Sequence, residues 1–506
     1  MTTRRLVTTI GLLAAVVYLG ALWNHFALDD GTIIVFNPLV HSPSGIWRAF
    51  GHPYWPIQAG GYLYRPLPIA TYALDGLVGG AWWFHLINVL WHAGASIAVA
   101  LLARRWRGNA AGLIAGLLFA VHPVHVEAVA NVIGRAELMA ALFSLLAVYA
   151  ALARRSVWWS TIALALGILS KENAVVVPVL VAWAWILGLD RPPRSRMIVM
   201  LGAWAFAATA CFAVRWLVIR ADPEFPMIAD VFVGANPVSI RLTAVAALAD
   251  VTRLLVFPLH LRVDYSPAER TLVTSLLDLR FLGGLACLGA LVGLLVLAWR
   301  GGRRLEAFGL GWIAIAYLPV ANLVVPIGVL VAERTLYLPS AGLALAAGVW
   351  LSGLPHRRRD VVVATLVLAG AVRTALRVPV WRNDTTMTLS ILDDSPRSSK
   401  GPQYTAALLQ ANGAPRRALE DYRRAFAIYD RDPRSLFGAA DAAFALRDPA
   451  LADSLLAETA PLCGACRAHY LSQAAVALAR GDSAVAESLL ARQAVQAVPA
   501  GSGSRP

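Results

Sequence analysis

"SIRLTAVAALADVTRLLVF", residues 239–257, decides how this chain is threaded. It is apolar enough for a membrane span, yet it carries Arg241, Asp250 and Arg253. A charge at the bilayer centre costs about 2.5–3.5 kcal/mol on insertion scales. Counting the stretch as a span would also put the arginine loop at 300–304 outside. Read as an amphipathic helix lying on the outer face, it leaves all the clusters together. These are Arg4-Arg5; Arg104, Arg105 and Arg107; Arg154-Arg155; Arg191, Arg194 and Arg196; Arg300, Arg303 and Arg304; and Arg357-Arg358-Arg359. Each falls between apolar runs, the positive-inside pattern of cytoplasmic loops.

Eleven spans follow, near 7–27, 83–103, 110–122, 136–153, 157–169, 173–189, 197–219, 280–299, 306–325, 336–354 and 361–378. The first is read as a retained helix, because it lacks a small-residue cleavage site and more spans follow. An inside N-terminus then puts the C-terminus outside. The outer segments are 28–82, 123–135, 170–172, 220–279, 326–335 and everything beyond 378. The bulk numbers agree. Of 506 residues, 58% are hydrophobic, and the mean hydropathy of +0.62 excludes an ordinary soluble protein. The net charge of +14 is mostly topology, not a nucleic-acid surface. Lys171 and Lys400 are the only lysines, and Ala and Gly abound. That composition associates with a GC-rich bacterial genome, hence a bacterial inner (cytoplasmic) membrane.

Past residue 379 the pattern changes to "RRALEDYRRAFAIY", "PALADSLLAETA" and "SAVAESLLARQAV", amphipathic at helical period. Turns near Gly413, Asp448 and Gly481 recur at about 34 residues, the tetratricopeptide period. The expected division is a membrane domain over 1–378, extracytoplasmic tetratricopeptide-like (TPR-like) repeats over 379–500, and a disordered end over 501–506. Cys211 and Cys287 read as small core residues. Cys463 and Cys466, in "CGAC", would be open to a local disulfide on the outer side.

The outer segments hold most of the isolated polar groups. "FALDDGTIIVFN" (26–37) carries Asp29 and Asp30, and "YRPL" carries Arg65. "HPVHVEAVANVIGRAEL" carries His122, His125, Glu127, Arg135 and Glu137. "SKEN" carries Lys171 and Glu172, "LRVDYSP" Asp264 and Tyr265, and "ERTLY" Glu333 and Arg334. Any one alone reads equally well as a helix stop, a solvated turn or an internal ion pair. Together they put ionisable groups from five loops on one side. Fixed cations suit a phosphate-linked substrate, and a carboxylate can take a proton from an attacking hydroxyl. The histidines are not spaced as HExxH, which argues against a divalent metal.

Seven stretches occur in order: "FALDDGTIIVFNP", "YRPLPIATYALD", "FHLINVLWHA", "FAVHPVHVEAVANVIGRAELMAALF", "LSKENAVVVPVLV", "ANPVSIRLTAV…RLLVFPLHLRVDYSP" and "AERTLYLPSAG". With "VWRND" at 380–384, they resemble the transmembrane-and-tetratricopeptide-repeat O-mannosyltransferases, a branch of the GT-C glycosyltransferase fold. The resemblance covers nearly the whole chain and departs mainly in the short tail. It implies an all-α polytopic membrane protein and an inverting transfer of a sugar, usually mannose. The donor would be a polyprenyl phosphate, and the acceptor a Ser or Thr hydroxyl of a secreted or membrane protein, with the repeats able to hold it. It also implies that Asp29 or Asp30 is the base, with Asp29 favoured. Arg65, Lys171 and Arg334 would take the donor phosphate, and the other residues named would line the site. Two alternatives stay open: the same fold acting on a glycolipid or envelope polymer, and a non-enzymatic repeat scaffold.

Overall fold

The computed structural model describes residues 1–56, 63–220, 229–265, 267–463 and 467–496. Cys466 and the expected disordered end lie outside them. Among the described residues the secondary structure is helical throughout. Helices of ten or more residues are numbered α1–α19 in chain order.

The membrane part runs α1 Thr3–Val17, α2 Pro66–Gly76, α3 Ala81–Ala120, α4 Arg135–Leu152, α5 Val157–Ser170 and α6 Val177–Ile186. It continues with α7 Arg194–Ile219, α8 Pro237–Val256, α9 Leu279–Arg300, α10 Arg304–Tyr317, α11 Tyr337–Ser352 and α12 His356–Arg377. Each of the eleven expected stretches contains a helix. Among the described residues, six segments are long and apolar enough to cross a bilayer: α3, 132–152, α7, α9, 333–352 and 356–381. The chain is a polytopic membrane protein. Few residues of α7, α9 and α12 are buried, and Phe206, Leu279 and Leu368 stand exposed. Apolar faces turned outward in this way belong against lipid, where helices satisfy their own backbone polar groups.

The 40-residue α3 is two antiparallel helices joined at a kink. Gly108 has φ +83°, a conformation that glycine adopts without strain. The chain reverses there. A Cβ on Gly116 would lie 2.8 Å from that of Ala100, and one on Gly112 would lie 2.7 Å from that of Arg104. The expected spans at 83–103 and 110–122 are thus the two arms of one hairpin.

The ambiguous stretch is α8. It packs hard on α9, where a Cβ on Gly284 would fall 1.9 Å from the Val245 carbonyl oxygen. Its charges are answered locally. Arg270 grips Asp250 at 2.6 and 2.7 Å, Arg241 donates to the carbonyls of Leu323 and Val324, and Arg253 donates to that of His260. Loop groups therefore offset the burial of these charges.

The tail runs α13 Asp384–Asp394, α14 Lys400–Ala411, α15 Pro415–Ile428, α16 Pro433–Ala445, α17 Pro449–Cys463, α18 Arg467–Ala479 and α19 Ser483–Gln496. α15, α16 and α17 each open on proline, which suits the first helical position because its missing N–H has no partner there. α14/α15, α16/α17 and α18/α19 form helix pairs. The turns that close them hold left-handed residues at Gly413, Arg447 and Gly481 (447 − 413 = 34; 481 − 447 = 34). The middle of this stack has its own core around Ala418, Leu436, Ala439 and Leu456.

Candidate active site

The Asp29–Asp30 pair sits where the chain leaves the first membrane helix. After α1 and a short 3-10 turn over Leu19–Trp23, the backbone turns sharply at Leu28, whose φ is +58°. That region is uncommon for a residue with a branched side chain. The two aspartates then separate. Asp30 is enclosed, 1% exposed, and its oxygens accept from the amides of Ala27 at 3.1 Å and Ile133 at 2.9 Å. Burial pushes its carboxyl up to about 7, even against those donors. Asp29 is half-buried, and its carboxylate makes no hydrogen bond or ion pair with the described residues. Burial raises its pKa, Arg334 pulls it back down, and Glu127 pushes it up.

One cation–carboxylate pair, Arg334 with Glu127, interacts with Asp29 directly, and two more are linked to it. The Arg334 amide donates to Glu127 Oε2 at 2.8 Å, and its guanidinium pairs with Oε1. Lys171 pairs with Glu137, whose second oxygen accepts from Asn173 Nδ2 at 3.4 Å. Arg65 is bidentate on Glu172, at 3.1 and 2.7 Å, and lies 5.4 Å from the Tyr54 ring centroid. The pairs share one field. Arg334 interacts with Asp29 and Glu137, Lys171 with Arg65 and Glu172, and Tyr54 with Arg65 and both aspartates. Burial lowers the Lys171 pKa against Glu137, which raises it. Arg334 is the most open of the cations, at 27% side-chain exposure against 14% for Arg65 and 11% for Lys171.

Other expected site residues lie elsewhere. Arg135 is fully enclosed. It pairs with Asp75, donates to Asn88 Oδ1 and the Phe84 carbonyl, and stacks on Tyr72. His122 bonds the Leu255 carbonyl and caps the Val124 amide, while His125 meets the Ser340 hydroxyl in the core. Glu333 accepts from the Arg262 amide at 2.5 Å and the Tyr265 hydroxyl at 3.0 Å, and it feels the charges of Arg377 and Glu127. Asp264 reaches the tail, where Ser398 Oγ donates to its carboxylate and Ser395 Oγ to its carbonyl. No cluster of three His, Cys, Asp or Glu side chains that could hold a metal occurs among the described residues.

The structure adds residues the sequence reading passed over. Tyr54 underlies Arg65. Tyr404, on α14, interacts with Asp29 and Asp264. Asp384, the first residue of α13, accepts from the Leu28 amide at 2.6 Å. The quoted "VWRND" contains Asp384, so a signal existed there. Nothing in the tail's helical period distinguishes Tyr404.

Residues 76–216 match the family model for dolichyl-phosphate-mannose-protein mannosyltransferases. Along its length the chain is similar to Protein O-mannosyl-transferase TMTC4 of Mus musculus, 27% identical over 487 residues. That alignment covers 82% of this chain and 65% of the relative. It is also 28% identical over 430 residues to TMTC3 of Homo sapiens (76% and 47%) and 32% identical over 327 residues to Tmtc2 of Drosophila melanogaster (58% and 33%). The chain spans between a third and two thirds of the length of these relatives. Among solved structures, ArnT from Cupriavidus metallidurans bound to undecaprenyl phosphate aligns at TM-score 0.41 and 16% identity, covering 90% of this chain and 80% of its own. The resemblance carried by the sequence motifs is therefore matched by relatives along most of the chain.

Proposed function

We propose that this protein is a GT-C-type membrane glycosyltransferase. It moves a sugar, mannose by its relatives, from a polyprenyl phosphate to a Ser or Thr hydroxyl of an extracytoplasmic protein. The observation that carries this reading is a carboxylate, Asp29, without a hydrogen bond or ion pair among the described residues, in the field of Arg334, with Arg65 and Lys171 in the same charge cluster. The acceptor oxygen attacks the anomeric carbon on the face opposite the phosphate. Its proton passes to Asp29, and the sugar–phosphate bond breaks with its electron pair going to the phosphate. The configuration inverts, and the departing polyprenyl phosphate carries the negative charge. Arg334, the most open cation, is suited to meet that charge. Arg65 and Lys171 keep their carboxylate partners and hold a positive wall beside it. The paired glutamates fix where the cations point, so little reorganises as charge develops. Asp30 has both oxygens committed to amides and holds the loop. The N-terminus is cytoplasmic, and the loops and the TPR-like tail face outward, where a flipped lipid donor presents its sugar.

The test is transfer of labelled mannose from polyprenyl-phosphate mannose by purified protein in liposomes, scored separately for protein and lipid products. Label in protein, lost in Asp29→Asn, supports the proposal. Label appearing in lipid alone moves the acceptor to a glycolipid, and equal transfer by wild type and Asp29→Asn removes the assignment of the base.

A further inference from the structure

Asp384 lies 356 residues from Leu28 in sequence, yet its Oδ1 accepts the Leu28 amide at 2.6 Å. Leu28 is the left-handed residue immediately before Asp29. Such a backbone costs free energy and persists only where surrounding contacts over-determine it. Two kinds of contact do so here. On the far side of Asp29, the Asp30 carboxylate is held by the amides of Ala27 and Ile133. On the near side the root of the tail holds the chain: the His25 amide donates to the Arg382 carbonyl at 2.8 Å, and Leu28 donates to Asp384.

The root is itself fixed. Val378 and Trp381 are buried in the main core, and Asn383 caps α13 in a capping box with Thr386. An acidic residue in the first turn of a helix commonly answers the helix dipole. At α13 Asn383 already supplies the cap, and Asp384 reaches outward to a distant amide instead.

We infer that Asp384 is a positioning residue for Asp29: it holds the left-handed turn at Leu28 that presents the Asp29 carboxylate, and so builds the root of the tail into the catalytic centre. The inference rests on the assignment of Asp29 as the base. Asp384 touches no substrate and acts through the backbone. Any hydrogen-bond acceptor of the same shape serves, because the contact needs a lone pair and not a charge.

The experiment uses the full-length protein in liposomes. It compares wild type, Asp29→Asn, Asp384→Asn, Asp384→Ala and Asp384→Ala with Leu28→Gly, measuring kcat, donor KM and amide hydrogen exchange over residues 26–32. Asp384→Ala is expected to lower kcat roughly 10- to 100-fold, the scale of a misplaced catalytic group, with donor KM within about twofold. Asp384→Asn keeps the acceptor and most of the activity. Leu28→Gly returns part of the loss, because glycine enters the left-handed region without strain. Exchange at the loop rises in Asp384→Ala and not in Asp384→Asn. Wild-type kcat in Asp384→Ala, equal losses in the Asn and Ala variants, or unchanged loop exchange would each overturn the inference. If wild type and Asp29→Asn behave alike in transfer, the functional reading has failed instead, and the exchange comparison still reports on the clamp.

Discussion

Arg135 with Asp75 and Arg334 with Glu127 are the same chemical pair in two settings. Both come from sequence stretches assigned to the outer side. Arg135 is enclosed and heavily bonded: carboxylate, amide oxygen, hydroxyl and carbonyl take four of its five N–H donors, and an aromatic ring covers its face. Among the described residues Arg334 has one carboxylate partner, partial exposure and an aspartate carboxylate without a hydrogen bond in its field. A buried ion pair whose donors are nearly all spent holds structure, and removing one partner strands the other. A pair with capacity left over can receive a ligand charge. The difference lies in how many partners remain to be satisfied, not in residue type.

The comparison can be broken at its open end first. Asp29→Asn should lower sugar transfer by about 10²–10⁴-fold, the range of a lost general base, while the protein still inserts; normal transfer would end the argument for this centre. Arg334→Gln should cost about 10²-fold in kcat, as for a lost charge-stabilising donor, and it carries a pH signature. Arg334 lowers the Asp29 pKa, so its removal raises that pKa. The ionised base then disappears at a higher pH, and the acid limb of the pH–rate profile moves up. An unmoved limb would take Arg334 out of the field of Asp29.

Arg135→Met tests the closed end. It should destabilise by about 3–5 kcal/mol, because Asp75 is left unpaired, read as a lower thermal midpoint. The surviving protein should keep its turnover per molecule, and Arg135→Met with Asp75→Leu should regain much of the loss. Turnover falling in step with Arg334→Gln would mean the two pairs do not differ in kind. A smaller change in free energy belongs to Asp30→Asn. It weakens one amide contact, at about 1–3 kcal/mol for a buried donor left poorly paired, and should lower kcat less than Asp29→Asn does. Equal collapse in both would show that the two carboxylates act as a unit.

Much of this was legible in the chain itself. Arginine placement and apolar length located a helix in each expected stretch, because both follow from what a bilayer tolerates. The period of the tail anticipated its turns to within a residue: Asp448 was marked, and the left-handed residue is Arg447. Sequence could not separate an enclosed arginine from an open one. Arg135 and Glu127 lie in one quoted stretch, and only their long-range partners, Asp75 on α2 and Arg334 before α11, tell them apart. For the same reason sequence alone does not distinguish Asp29 from Asp30, whereas in the fold the Ile133 amide bonds Asp30. Nothing in the sequence assigns Asp384 a role, because its partner is a backbone amide 356 positions away.

Contacts between the tail and the loops of the membrane part include Asp384 with Leu28, Ser395 and Ser398 with Asp264, Arg397 with Glu269, and Lys400 and Arg434 with Asp230. These fastenings fix the origin of the stack. A stack so fastened works as a ruler, not a leash. Each 34-residue unit is one graduation, and cutting or adding a unit would change how far the stack reaches from the loops that hold it.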